Sequence, residues 1–150
     1  MLLSKSCVYG LRAAIYLASK NEESYISIRD MSADLGISFH FLTKILQQLT
    51  SDKLMESYKG PKGGIKLTTK GRAATMLDMV IAIDGPELLT QCALGLPGCG
   101  HEKPCPIHEK WIETRTSIEG MLNQTSLDEI AKEGKEKQFR LKEDGSFSWG

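Results

Sequence analysis

Three cysteines and a histidine, Cys92, Cys99, Cys105 and His108, fall within seventeen residues of one glycine- and proline-rich stretch. The pattern is Cys92-x6-Cys99-x5-Cys105-x2-His108, and the other 133 residues contain a single further cysteine, Cys7. Thiolates and an imidazole gathered in a flexible loop are the donors that zinc and iron–sulfur clusters use. The wide spacings differ from the tight Cys-x2-Cys knuckles of structural zinc sites and suit a loop wrapped around a larger body. An iron–sulfur cluster is therefore the expected cofactor, with Zn²⁺ or bare redox thiols as the alternatives. Cys105 and His108, three residues apart, can project from one side of a helix start. Cys7 reads as a core residue of the first helix and as the reserve fourth ligand.

The charge distribution points to a second activity. The formal net charge is zero, yet residues 1–72 carry eleven Lys/Arg against six Asp/Glu, and residues 73–150 eight against thirteen. A basic front half opposite an acidic back half suits a protein in which one part meets a polyanion. With 41% hydrophobic and 25% charged residues, composition is that of a globular chain. No secretory signal or membrane-length apolar run is readable, so a cytoplasmic protein with no membrane partner is expected.

The elements that must position these residues follow from periodicity. Ser4 caps a first helix reaching about Lys20, with Val8, Leu11, Ile15 and Ala18 on one face. Ser27-x-x-Asp30 opens a short helix carrying Ile28, Met31 and Leu35, and Gly36 ends it. Ser38 caps a third helix with Phe41, Leu42, Ile45, Leu46 and Leu49 inward. Strands are expected over 54–59 and 65–68, joined by Gly60-Pro61-Lys62-Gly63-Gly64. Helix, turn, helix and a glycine-tipped hairpin make a winged helix-turn-helix. A single apolar helix is predicted over Arg72–Asp84, stopped by Gly85-Pro86. Cys105 and Pro106 are expected to start a long helix whose seam is Ile107, Trp111, Thr114, Ile118 and Met121 or Leu122, a candidate dimerisation helix. A last short helix spans Leu127–Lys132. The fold class is thus mainly α, organised as a winged-helix DNA-binding domain (1–84), a cluster-binding loop with dimerisation helix (85–132) and a disordered tail (133–150).

On the third helix the outward residues are His40, Thr43, Lys44, Gln47 and Gln48, types that reach base edges or phosphates in a major groove. With Ser38 at the helix start, and Lys59, Gly60, Pro61, Lys62 and Gly63 in the wing, His40, Thr43, Lys44 and Gln47 form the expected DNA-binding set. Gly63-Gly64 is followed by Ile65, not the Lys-Ser/Thr of a P-loop, which favours the wing over a nucleotide-binding loop.

Leu3-Ser4-Lys5, Gly36-Ile37-Ser38, the wing Lys59–Gly64 and Cys105-x2-His108, in that order, resemble one bacterial family over about residues 1–130. These are the dimeric winged-helix regulators that include the iron–sulfur cluster regulator and the nitric-oxide-sensing repressor. The resemblance implies a homodimer paired through the long helix, a cluster in the cysteine loop, and a palindromic operator on double-stranded DNA. It implies a transcription regulator, more often repressor than activator, and no enzyme. His108 matches the histidine ligand of the cluster-regulator branch, where a two-iron cluster is favoured and a four-iron form is the alternative. Val8 stands where the nitric-oxide branch has a ligating aspartate. Lys59 and Thr43 replace the wing arginine and recognition-helix glutamate of the cluster-regulator branch, so operator sequence does not carry over.

Overall fold

A computed structural model of the chain describes residues 2–142. Helix α1 (Lys5–Ala18) is the central strut; Ser4 caps it by accepting from the Cys7 amide. Its buried face is Cys7, Leu11, Ala14, Leu17 and Ala18, while Val8 and Ile15, expected inside, are half-buried. Gly10 lets α1 lie close to its neighbours, because a Cβ there would overlap the Ile83 side chain. Helices α2 (Ile28–Leu35) and α3 (Phe39–Ser51) are joined by Gly36 in the left-handed conformation, φ 69°. The antiparallel wing consists of β1 (Met55–Tyr58) and β2 (Gly64–Leu67), with Met55 opposite Leu67 and Tyr58 opposite Gly64. Ile26 pairs with Ile65 and fastens the base of the wing to the body.

The helix expected over Arg72–Asp84 is two helices, α4 (Thr69–Ala73) and α5 (Met76–Asp84). Ala74 is extended between them, and Thr75 with Asp78 forms a complete capping box that starts α5 afresh. One turn, α6 (Glu87–Thr90), opens the cysteine loop. The long helix α7 (His108–Asn123) starts three residues after Cys105: Ile107 is its N-cap, and Cys105 accepts from the His108 amide in a preceding turn.

Helix α8 (Leu127–Lys137) runs five residues beyond the expected end, correcting the tail boundary at 133. Ser126 caps its start, and Leu127, Ala131 and Gly134 are buried along one face. The Leu127 amide bonds to the Ala74 carbonyl, and Leu127 and Ala131 join the same core as α1. Residues 127–137 thus return to the winged-helix unit, and Leu141 also packs on that core. The expected disorder of residues 143–150 falls outside the described residues.

Candidate nucleic-acid interface and metal centre

Leu42, Ile45, Leu46 and Leu49 are buried and Phe41 half-buried, which turns His40, Lys44 and Gln47 to solvent along α3. Ser38 is exposed at the helix start and makes no side-chain capping bond. Thr43 is half-buried, and its hydroxyl donates to the Phe39 carbonyl at 2.8 Å. Gln48 departs from the expected reading face: its side-chain amide donates to the Ala82 and Ile83 carbonyls, at 2.7 and 3.3 Å. Those carbonyls lie in the last turn of α5, where no helical partner remains for them. Gln48 is therefore a clasp between helices.

In the wing, Lys59, Gly60, Pro61 and Lys62 are exposed and Gly63 half-buried. Gly60 has φ 132°, and its carbonyl accepts from the Gly63 amide at 2.9 Å. A Cβ on Gly63 would overlap the Tyr58 carbonyl, so the turn closes only with a glycine here. Two groups that sequence reasoning did not single out sit on these elements. Tyr58 is 58% exposed beside Lys59, its ring packed on Tyr25. Arg29 of α2 places its guanidinium 4.5 Å from the centre of the Phe39 ring, which also meets His40 edge-on. Basic residues next to aromatics are a usable signal, but the Arg29–Phe39 pair spans the helix-turn-helix and becomes visible only once the turn is closed.

In the cysteine loop the four expected donors come together as two pairs. Cys99 Sγ lies 3.7 Å from Nδ1 of His108, while Cys92 and Cys105 lie near enough for each thiol to perturb the other. Backbone amides, led by Leu94 at 3.4 Å and Leu96, hold the Cys92 thiol below its usual range, and Cys105 adds to this. Cys105 is pushed up, first by desolvation and then by the neighbouring Cys92 and Cys99, against a lowering bond from the Ile107 amide. His108 is 3% exposed, and its Nε2 is buried without a hydrogen-bond partner. The His101 ring stands edge-on to it at 5.0 Å.

Helix α7 braces this loop. The Gln91 carbonyl accepts from Trp111 Nε1 at 2.9 Å and from Arg115 at 3.2 Å, and the same Arg115 nitrogen lies 3.8 Å from Cys99 Sγ. No three His, Cys, Asp or Glu side chains among the described residues stand close enough to share one metal ion. Two donor pairs, an arginine beside one thiol and an unspent buried imidazole nitrogen nonetheless fit a group larger than a single ion, because desolvated polar atoms are costly unless partnered. Cys7 is not gathered with the loop cysteines. It is fully buried beside Asp84, and burial, with the Asp84 charge and hydrogen bond, pushes its thiol up to about 12.

A family model described as an iron-dependent transcriptional regulator, Rrf2, matches residues 3–133. The HTH-type transcriptional regulator IscR of Photorhabdus laumondii is 28% identical over 130 residues, covering 87% of this chain and 79% of its own. Among solved structures, CymR, the global cysteine regulator of B. subtilis, superposes with a TM-score of 0.74 at 25% identity, covering 87% of this chain and 96% of its own. T. potens IscR superposes at 0.71 with 22% identity, covering 92% and 91%, a likeness of fold.

Proposed function

Since the chain belongs to the Rrf2 family of iron-dependent transcriptional regulators, we propose that its hold on DNA is governed by an iron–sulfur centre in the loop from Cys92 to His108. Its relatives regulate transcription and are not enzymes. The observation that carries the reading is the buried, unpartnered Nε2 of His108 on a ring already facing Cys99. Cys92, Cys99, Cys105 and His108 would hold the centre, three thiolates and one imidazole being donors that iron–sulfur clusters take. When bound, such a group supplies iron that oxidants and nitric oxide can alter.

The chain's own residues supply the path from loop to DNA. Arg115 and Trp111 fix the loop entrance to α7 through the Gln91 carbonyl. At the other end of the loop entrance, Asp84 accepts from the backbone amide and hydroxyl of Ser4, joining the end of α5 to the start of α1. Gln48 joins α5 to α3. A loop that changes shape therefore acts on the helix carrying His40, Lys44 and Gln47, and a small change in its placement suffices for a coupling of about 1–3 kcal/mol.

The proposal includes a homodimer. Helix α7 buries only His108 and Leu122 of its sixteen residues, while Met121 is 62% and Ile107 41% exposed. Two copies paired along it would present two reading helices to a palindrome with half-sites about 34 Å apart. Repression in the cytoplasm is the role this arrangement supports. No helix among the described residues is long and apolar enough to cross a membrane.

Purification without oxygen, with visible absorption, iron and acid-labile sulfide measured on one sample, tests the centre. Coloured protein with matching iron and sulfide supports it, and their ratio per chain separates two-iron from four-iron forms. Colourless protein with stoichiometric zinc and no sulfide overturns it. The adjacent thiols of Cys92 and Cys105 favour a second reading, a metal-free thiol switch. Metal-free protein losing two hydrogens from that pair on mild oxidation would identify it by mass spectrometry.

A further inference from the structure

We infer that Arg29, on the first helix of the helix-turn-helix, is a DNA-backbone contact held ready by Phe39, a role that rests on the DNA-binding reading of α3. Arg29 is exposed in the first turn of α2, where a cation opposes the helix dipole. Its position is therefore poor for helix stability and calls for another reason.

The side chain is nevertheless placed. Its guanidinium lies 4.5 Å from the centre of the Phe39 ring, and Phe39 is the first residue of α3. Stacking on an aromatic face orients the planar group and leaves its N–H donors in the plane free for an acceptor. Asp34 of the same helix is engaged elsewhere, accepting from the Tyr16 hydroxyl at 2.5 Å. No ion pair among the described residues involves Arg29.

What remains is an arginine with open donors, fixed beside the reading helix and next to exposed His40, whose ring packs against the same Phe39. With a recognition helix in the major groove, the preceding helix crosses the phosphate backbone. A bidentate guanidinium on that helix matches a phosphate diester. Such a contact positions the protein on the duplex without reading bases. Arg29 thus adds a further cation to the electrostatic footprint of wing and reading helix.

The test is binding of the full-length protein to a random-sequence duplex, followed by fluorescence anisotropy across a salt series. Arg29→Gln should weaken binding about tenfold near 0.1 M salt and flatten the slope of log affinity against log salt by about 0.9 for each protomer engaged, the loss of one phosphate contact per copy. Arg29→Lys should keep the slope while recovering only part of the affinity. Phe39→Leu, which removes the platform but not the charge, should lower affinity with the slope intact. An Arg29→Gln protein with the wild-type slope overturns the inference and leaves the DNA-binding reading standing. A wild-type protein with no salt-dependent duplex binding overturns both.

Discussion

The side-chain amide of Gln48 donates to the Ala82 carbonyl across 2.7 Å, so α3 is bonded to the last turn of α5, the helix that leads toward the cysteine loop. The same nitrogen reaches Ile83, 3.3 Å away. Replacing Gln48 with Ala should therefore have two effects. It leaves two terminal carbonyls to water, costing about 1 kcal/mol of stability in urea unfolding. It should also uncouple loop from reading helix. Duplex affinity measured in a cycle with Cys105→Ser should show an interaction between the two sites of about 0.5–1 kcal/mol, and additive effects would show that the clasp carries no signal.

Cys7 should behave unlike the other three cysteines. Its thiol is fully buried and pushed up to about 12 by burial and by Asp84, against a value near 9 for an unperturbed cysteine. Below about pH 9 folded and unfolded chains both keep this proton, and the contribution to stability is fully present. Between about 9 and 12 the unfolded chain gives the proton up while the folded chain holds it, so stability falls as pH rises. Tyr16, raised by burial and by its bond to Asp34, adds to the same alkaline loss. Urea unfolding should show wild type losing more stability than Cys7→Ser from pH 8 to pH 10. Native-state alkylation read by mass spectrometry should modify Cys7 last.

Local rules made much of this legible. Ser4, Ser27 and Ser126 cap helices, Gly36 takes the left-handed turn, and Ile65 and Leu67 face inward, because each depends on a few neighbouring residues. Thr75-x-x-Asp78 was equally local, but the apolar run through it reads as one helix and hides the break at Ala74. Gln48 was beyond such reading. It occupies the exposed face of α3 by periodicity, and only the packing of α5 supplies the carbonyls that claim it. Helix α8 outran its expected end for the same reason: Gly134, which reads as a stop, is buried inside the helix. In the loop, the order of donors was readable, whereas their division into two pairs depends on turns at Gly95 and Gly98, both with positive φ.

Close backbone approach gives a sharp contrast between two glycines. A Cβ on Gly71 would overlap the Leu54 backbone carbonyl, which cannot move without disturbing the start of the wing. At Gly10 the clash is with the end of the Ile83 side chain, which can rotate away. Gly71→Ala should thus cost about 3 kcal/mol and Gly10→Ala about 1 kcal/mol, within the range of overpacked sites. Chemical denaturation of the two variants checks the order, and equal costs would mean that the Leu54 carbonyl gives way freely.

Arg72 and Asp128 form an ion pair at 3.0 Å whose two halves should respond unequally to substitution. The Arg72 side chain is 10% exposed and the Asp128 side chain 51%. Beyond the carboxylate, the guanidinium donates to the carbonyls of Leu17, Ala18 and Lys20, in the last turn of α1 and just past it. Arg72→Ala therefore removes a buried cap that ties α4 and α8 to α1, and should cost about 3–4 kcal/mol. Asp128→Asn removes only a solvent-screened partner and should cost less than about 1 kcal/mol. Equilibrium unfolding of both variants at neutral pH decides the matter. Comparable losses would place the stabilising role in the ion pair, whereas the expected imbalance places it in the carbonyls that close α1.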